Sequence, residues 1–176
     1  MSHKLDSVFD PDGELDSVFV KGSVGERWGV VETFNHEYGE SKCVFESDEE
    51  GTYLRLTMLY ELGDNQVKPD VVYEALNFMN GAQADAQLHF QPKNRNLIAK
   101  RILLVKGHPD ELIREMIAEV FPELCDIFDD AIFAVGVHES GAAIEQLADV
   151  MIERDKQRRI DRLRKKNGNW DDPAYA

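Results

Sequence analysis

The residues in this sequence that could do chemistry are scattered rather than grouped. His3, His36, His89, His108 and His138 form no HxxxH or HxxEH pair, the spacing that sets two zinc ligands on one helix face. They read as solvated or capping histidines, with His89 on the polar face of a strand and His108 just ahead of a helix. Cys43 and Cys125 are far apart and lack CxxC or zinc spacing, so buried, inert thiols are expected. Asp10-Pro11-Asp12-Gly13-Glu14 has the alternating carboxylates and glycine that open a calcium loop. Such a loop needs about five more residues before a bidentate glutamate, and Phe19 and Val20 fall there, so the segment reads as a turn. Lys21-Gly22-Ser23-Val24-Gly25 could in principle cradle an anion at a helix start, but it lacks the GxxxxGK[ST] order. No GxSxG occurs. Nothing names a nucleophile, a base or a cofactor, and the chain reads as a non-enzyme that calls for no cofactor or metal.

Two sets of side chains suit contact with a partner instead. Asn77 and Asn80 lie three apart on one face of an apolar helix. They fit a polar contact in a groove, or the capping and packing of that helix end. Arg154, Arg158, Arg159, Arg162 and Lys165 belong to a basic stretch from Arg154 to Lys166 that only Asp155 and Asp161 offset. Residues 151–176 hold 8 Lys/Arg against 5 Asp/Glu, while the rest of the chain holds 12 against 29, so tail and body are opposite in sign. An overall charge of −14 makes the body a poor match for phosphate or an anionic bilayer. Contact with nucleic acid is therefore expected only through residues 154–166, and a solvated helix, or one docked on an acidic face of its own body or of a partner subunit, is preferred to it. Ile160 and Leu163 are too few to bury that segment in a membrane interface.

The elements that must position these groups follow from periodicity. Leu5-Asp6-Ser7-Val8-Phe9 is duplicated at Leu15-Asp16-Ser17-Val18-Phe19, either as two strands of a hairpin or, preferred here, as an arm over residues 1–22. Ser23 and Glu26 form a capping box, and Trp28, Val31, Phe34 and Tyr38 follow at helical spacing up to Gly39, so residues 26–38 read as helix. Val30, Val31 and Thr33 favour a strand there. A hairpin is expected from Cys43-Val44-Phe45 through the turn Asp48–Gly51 to an alternating strand bearing Leu54, Leu56, Met58, Tyr60 and Leu62 on one face. Pro69 and Asp70 open a helix that Asn80-Gly81 should close in a left-handed stop. A second hairpin has Ala86, Leu88 and Phe90 on one face of its first strand and the near-continuous apolar run Ile102–Val105 in its second, with Pro92–Asn96 as the turn. From Pro109 the apolar phase runs unbroken through Pro122 to Val135, which predicts one kinked helix or two abutting ones. The last helix keeps Ile144, Leu147 and Met151 on one face, and its basic continuation is expected to project from the body.

This order resembles the YbjN-domain family, whose fold is that of the type III secretion chaperones. The likeness rests on Ala75-Leu76-Asn77-Phe78-Met79-Asn80, on the Ala86–Val105 hairpin and on the Pro109-Asp110-Glu111-Leu112 helix start, and it spans roughly residues 24–136. The first hairpin looks one strand short of that pattern, and neither arm nor tail belongs to it. The resemblance implies an α+β domain of two or three layers, often a dimer, that holds other proteins. It supplies no catalytic residue.

The reading is thus an α+β fold: an antiparallel sheet of two hairpins packed with helices, type III secretion chaperone-like, plus a charged C-terminal helix. Residues 1–22 form the arm, 23–138 the YbjN-like domain, and 139–176 the helix and basic tail. The expected function is non-enzymatic protein binding, chaperone-like or adaptor in kind, with a protein client or a second copy as partner. The alternative is a regulator touching nucleic acid through its C-terminal helix. No window nears the run of about 18 apolar residues that a membrane span needs, and the N-terminus has no signal-peptide core, so a cytoplasmic, soluble chain is expected.

Overall fold

The computed structural model describes residues 5–9, 19–22, 25–63, 67–82 and 85–167. In chain order the elements are α1 (Asp6–Phe9), β1 (Phe19–Gly22), β2 (Gly25–His36), β3 (Gly39–Ser47), β4 (Tyr53–Glu61), α2 (Pro69–Ala82), β5 (Gln87–Gln91), β6 (Asn96–Leu104), α3 (Asp110–Glu139) and α4 (Ile144–Asn167). The strands form one antiparallel six-stranded sheet in the order β1-β2-β3-β4-β6-β5. The fold is α+β.

Alternation along the strands sets a core face. Cys43, Phe45, Leu54, Leu56, Met58, Leu97, Ala99 and Leu103 are buried on it. They meet Val72, Ala75, Leu76 and Met79 of α2 and Ile113, Val120, Leu124, Phe128, Ala131 and Val135 of α3 in one cluster. The first hairpin's alternating strand and the start of α2 lie where their periodicity places them; the second hairpin turns as expected, but β5 pairs with Asn96–Lys100, and Ile102–Leu104 pair with β4 instead. α3 runs through Pro122 as a single helix. The proline removes one N–H, but the apolar stripe on either side packs on the same sheet and keeps the helix in phase.

Other expectations are corrected. Residues 26–38 are not helix: β2 pairs with β3 from Trp28–Ser47 to His36–Gly39. That ladder and the β-branched run override the helical spacing. Gly39, with φ +122°, serves a two-residue hairpin turn instead of a helix end. β2 also supplies the strand that the first hairpin seemed to lack. Gly81 lies inside α2, which runs on to Ala82. The first LDSVF copy is not a free arm, because Leu5 and Val8 are buried in the core and the Phe9 ring lies 5.0 Å from that of Phe45. Arg114 donates to the Ser7 carbonyl at 3.0 Å and Ser7 Oγ donates to Asp110 at 2.6 Å, which ties this segment to the start of α3. The proposed calcium-type turn at Asp10–Glu14 lies outside the described residues. A further correction, given below, concerns the tail.

Candidate interaction surface

The helices cover one face of the sheet and leave the other open. On the open face, register sets Val31, Val44, Thr57 and Lys100 in one row across β2, β3, β4 and β6. Lys42, Leu59 and Ile98 form the next row, with His89 beyond them on β5. On the other side lie Glu46, Arg55 and Ile102, then Tyr53 and Leu104. Arg55 and Glu46 satisfy each other, Nε to Oε2 at 2.9 Å. Thr57 is 8% exposed and its hydroxyl has no hydrogen-bond partner among the described residues. Val31, Ile102 and Leu104 are 42%, 59% and 72% exposed. The unbroken apolar run Ile102–Val105 does not mark two of its members as outward-facing; among the described residues the helices pack on the opposite face and leave them exposed.

The asparagine pair divides. Asn80 closes the outer edge of β5: its Nδ2 donates to the Leu88 carbonyl and its Oδ1 accepts from the Leu88 N–H, both at 2.9 Å. Its amide thus copies a neighbouring strand, as helix-end packing would have it. Asn77 stays exposed on α2.

The basic residues divide too, and here the projecting tail is corrected. Arg154 donates to Glu37 Oε2 at 2.5 Å and through Nε to Asp130 at 2.8 Å, and its guanidinium lies 4.3 Å from the centre of the Phe133 ring. Arg158 lies 2.5 Å from Asp130 and 3.6 Å from Glu37. The first turns of the basic segment therefore dock on an acidic spot formed by the β2–β3 turn and α3, beside a cavity of about 670 Å³. Burial opposes the charge on Glu37, but bonds and charges from Arg154 and Arg158 outweigh it and hold its pKa below 4.5. Asp130 sits deeper, and there burial outweighs the same two arginines, so its pKa is raised. Among the described residues Arg159 pairs with Asp155, one turn back on α4, at 2.7 Å. Arg162 and Lys165 lie further along α4, and their side chains fall outside the described part.

His36 and His138 are engaged in ways the sequence did not signal, while His89 and His108 are exposed as expected. His36 Nε2 lies 2.7 Å from Ser41 Oγ and its Nδ1 lies 2.6 Å from Asp129 Oδ1. The order Ser–His–Asp matches a hydrolytic triad in connectivity, yet the His36 side chain is fully buried and Ser41 is 5% exposed. Phe34, Tyr60 and Phe128 surround the imidazole with ring centres within 5.6 Å. A substrate cannot reach the hydroxyl without unfolding this corner, so the set works as a polar tie between β2, β3 and α3. His138, at the end of α3, bonds the Ala142 carbonyl and Glu74 of α2, each at 2.8 Å, and these two bonds raise its pKa. Cys43 is buried as expected and Cys125 only partly so; burial pushes both thiols up to about 12, aided at Cys43 by Cys125 and at Cys125 by Asp129 and Asp126. Among the described residues no group of three His, Cys, Asp or Glu could hold a metal, and no helix is long and apolar enough to cross a membrane.

These features define an α+β domain with one packed sheet face, one open sheet face and a charge-clamped C-terminal helix. No family model and no curated protein matches the chain. Among solved structures it is similar to the HopA1–SchA chaperone–effector complex, with 14% identity over 71% of this chain and 90% of that one and a TM-score of 0.39. It is also similar to YbjN from E. coli, with 16% identity over 70% and 85% and a TM-score of 0.40.

Proposed function

We propose that the chain is a non-enzymatic protein-binding module, chaperone-like or adaptor in kind, whose protein partner docks on the open sheet face. The observation that carries this reading is the pair Ile102 and Leu104, 59% and 72% exposed side by side on a strand whose other apolar residues are buried. Contiguous apolar surface of this sort marks interaction sites. Burying both side chains would contribute roughly 1.5–3 kcal/mol each. The sequestered Ser41–His36–Asp129 set and the poorly ionised thiols add support, since the groups best placed for chemistry are withdrawn from solvent.

The test is affinity purification from the native cell with the wild type and with I102D/L104D. A protein retained by the first and lost by the second, with unchanged circular dichroism, is the expected result. Identical retention by both overturns the reading.

A further inference from the structure

We infer that the site at the start of α3 that holds residues 5–9 is a binding site for the segment LDSVF as such, and that the duplicate at residues 15–19 is its second ligand, which takes the place of the first copy when that copy is withdrawn. The two copies are identical residue for residue and lie ten positions apart. Identity stops at the bounds of the docked segment: Lys4 and Asp10 flank the first copy, Glu14 and Val20 the second.

The contacts that fix the first copy are ones the second can repeat. Leu5 and Val8 are buried in the core, and the Phe9 ring lies 5.0 Å from that of Phe45, which stacks in turn on Phe121 of α3 at 6.2 Å. The Val8 N–H donates to the Leu5 carbonyl at 3.1 Å. That single turn sets the apolar residues at the first, fourth and fifth positions on one side. Ser7 faces out, where its Oγ donates to Asp110 and its carbonyl accepts from Arg114. Leu15, Ser17, Val18 and Phe19 stand at the same offsets in the second copy.

The second copy also ends close to the site. Phe19 is its last residue and the first of β1. It pairs with Trp28 of β2, and Trp28 pairs with Ser47 of β3, two residues along from Phe45. Two strand spacings of about 4.8 Å and two residues of about 3.3 Å place the Phe19 backbone about 12 Å from that of Phe45. A ligand tethered this near its site meets it at high effective concentration. Docking the second copy takes Phe19 out of its pair with Trp28, while Val20, Lys21 and Gly22 can stay paired with Arg27, Glu26 and Gly25. The first copy is therefore favoured while both are intact. The second keeps the apolar seats of Leu5 and Val8 covered once the first is pulled away.

The test traps occupancy with disulfides in the full chain, mapped by mass spectrometry so that links to Cys43 and Cys125 are told apart. S7C/D110C should link readily, since Ser7 Oγ lies 2.6 Å from Asp110. S17C/D110C should link slowly, and about tenfold or more faster once L5D/V8D removes the first copy. No link between positions 17 and 110 in either background overturns the inference, and so does a rate that L5D/V8D leaves unchanged. Failure of S7C/D110C removes the site and the inference with it. A link that joins two chains also overturns it, because the occupant is then a second molecule. Urea denaturation gives an independent readout: L5D/V8D and L15D/V18D should each shift the midpoint far less than the two combined. A midpoint for L5D/V8D as low as that of the combined variant means that the second copy does not fill the site.

Discussion

Asp129 and Asp130 are consecutive on α3 yet serve different elements: Asp129 accepts from His36 at the end of β2, while Asp130 accepts from Arg154 of α4. Neighbouring helix positions are turned about 100° from one another, so one carboxylate looks into the sheet corner and the other towards α4. The Glu37 backbone N–H reaches Asp129 at 3.5 Å and its carboxylate binds Arg154 and Arg158, which joins the two ties at the β2–β3 turn.

Arg154→Ala is accordingly expected to destabilise the chain by about 1–3 kcal/mol, the usual cost of leaving a charged hydrogen-bonding partner unmet. Urea denaturation measures it. A chain ending at Glu153 should lose a similar amount, and the loss should shrink in high salt, since Glu37 is half-exposed and screened. An unchanged midpoint for both variants would show that the clamp contributes nothing.

Leu147 is fully buried and is the main apolar anchor of α4, with Ile144 and Met151 only partly covered. Leu147→Ala is expected to cost about 2–5 kcal/mol, more than the loss of Arg154. The reverse order, read from the same denaturation curves, would mean that charge rather than packing holds this helix.

His138 gives the stability a pH dependence. Its pKa is raised on folding from about 6.5 by the Ala142 carbonyl and Glu74. A group of this kind adds stability that is complete below its unfolded pKa and is lost as pH rises through its folded one. Stability should therefore decline as pH climbs from 6.5 through that raised value, and His138→Gln should flatten the decline. Equal slopes for variant and wild type in that interval would remove His138 as the cause.

The Ser41–His36–Asp129 set is expected to be structural. A fluorophosphonate probe should leave Ser41 unlabelled in the native chain. Asp129→Ala should lower stability by about 1–3 kcal/mol, the cost of an unsatisfied buried donor, and Asp129→Asn should restore part of it. Labelling of Ser41 that disappears with His36→Gln would instead make this a working nucleophile.

Much of the fold was legible in the sequence because it rests on local pattern. The alternation from Leu54 to Leu62, the Pro69 helix start, the hairpin around Pro92–Asn96 and the unbroken stripe from Ile113 to Val135 each carry their own period, and burial in the structure follows it. Tertiary contact decided the rest. Residues 26–38 carry two competing periods, and the β3 ladder selected strand. Leu5 and Val8 look like arm residues until α3 arrives to cover them. For Arg154 and Arg158 the sequence leaves a solvated face and docking on an acidic face both open, because Glu37 and Asp130 are remote in sequence; folding brings the four together. That the β5 ladder ends opposite Lys100, short of Ile102 and Leu104, is a fact of pairing between strands that no single segment encodes.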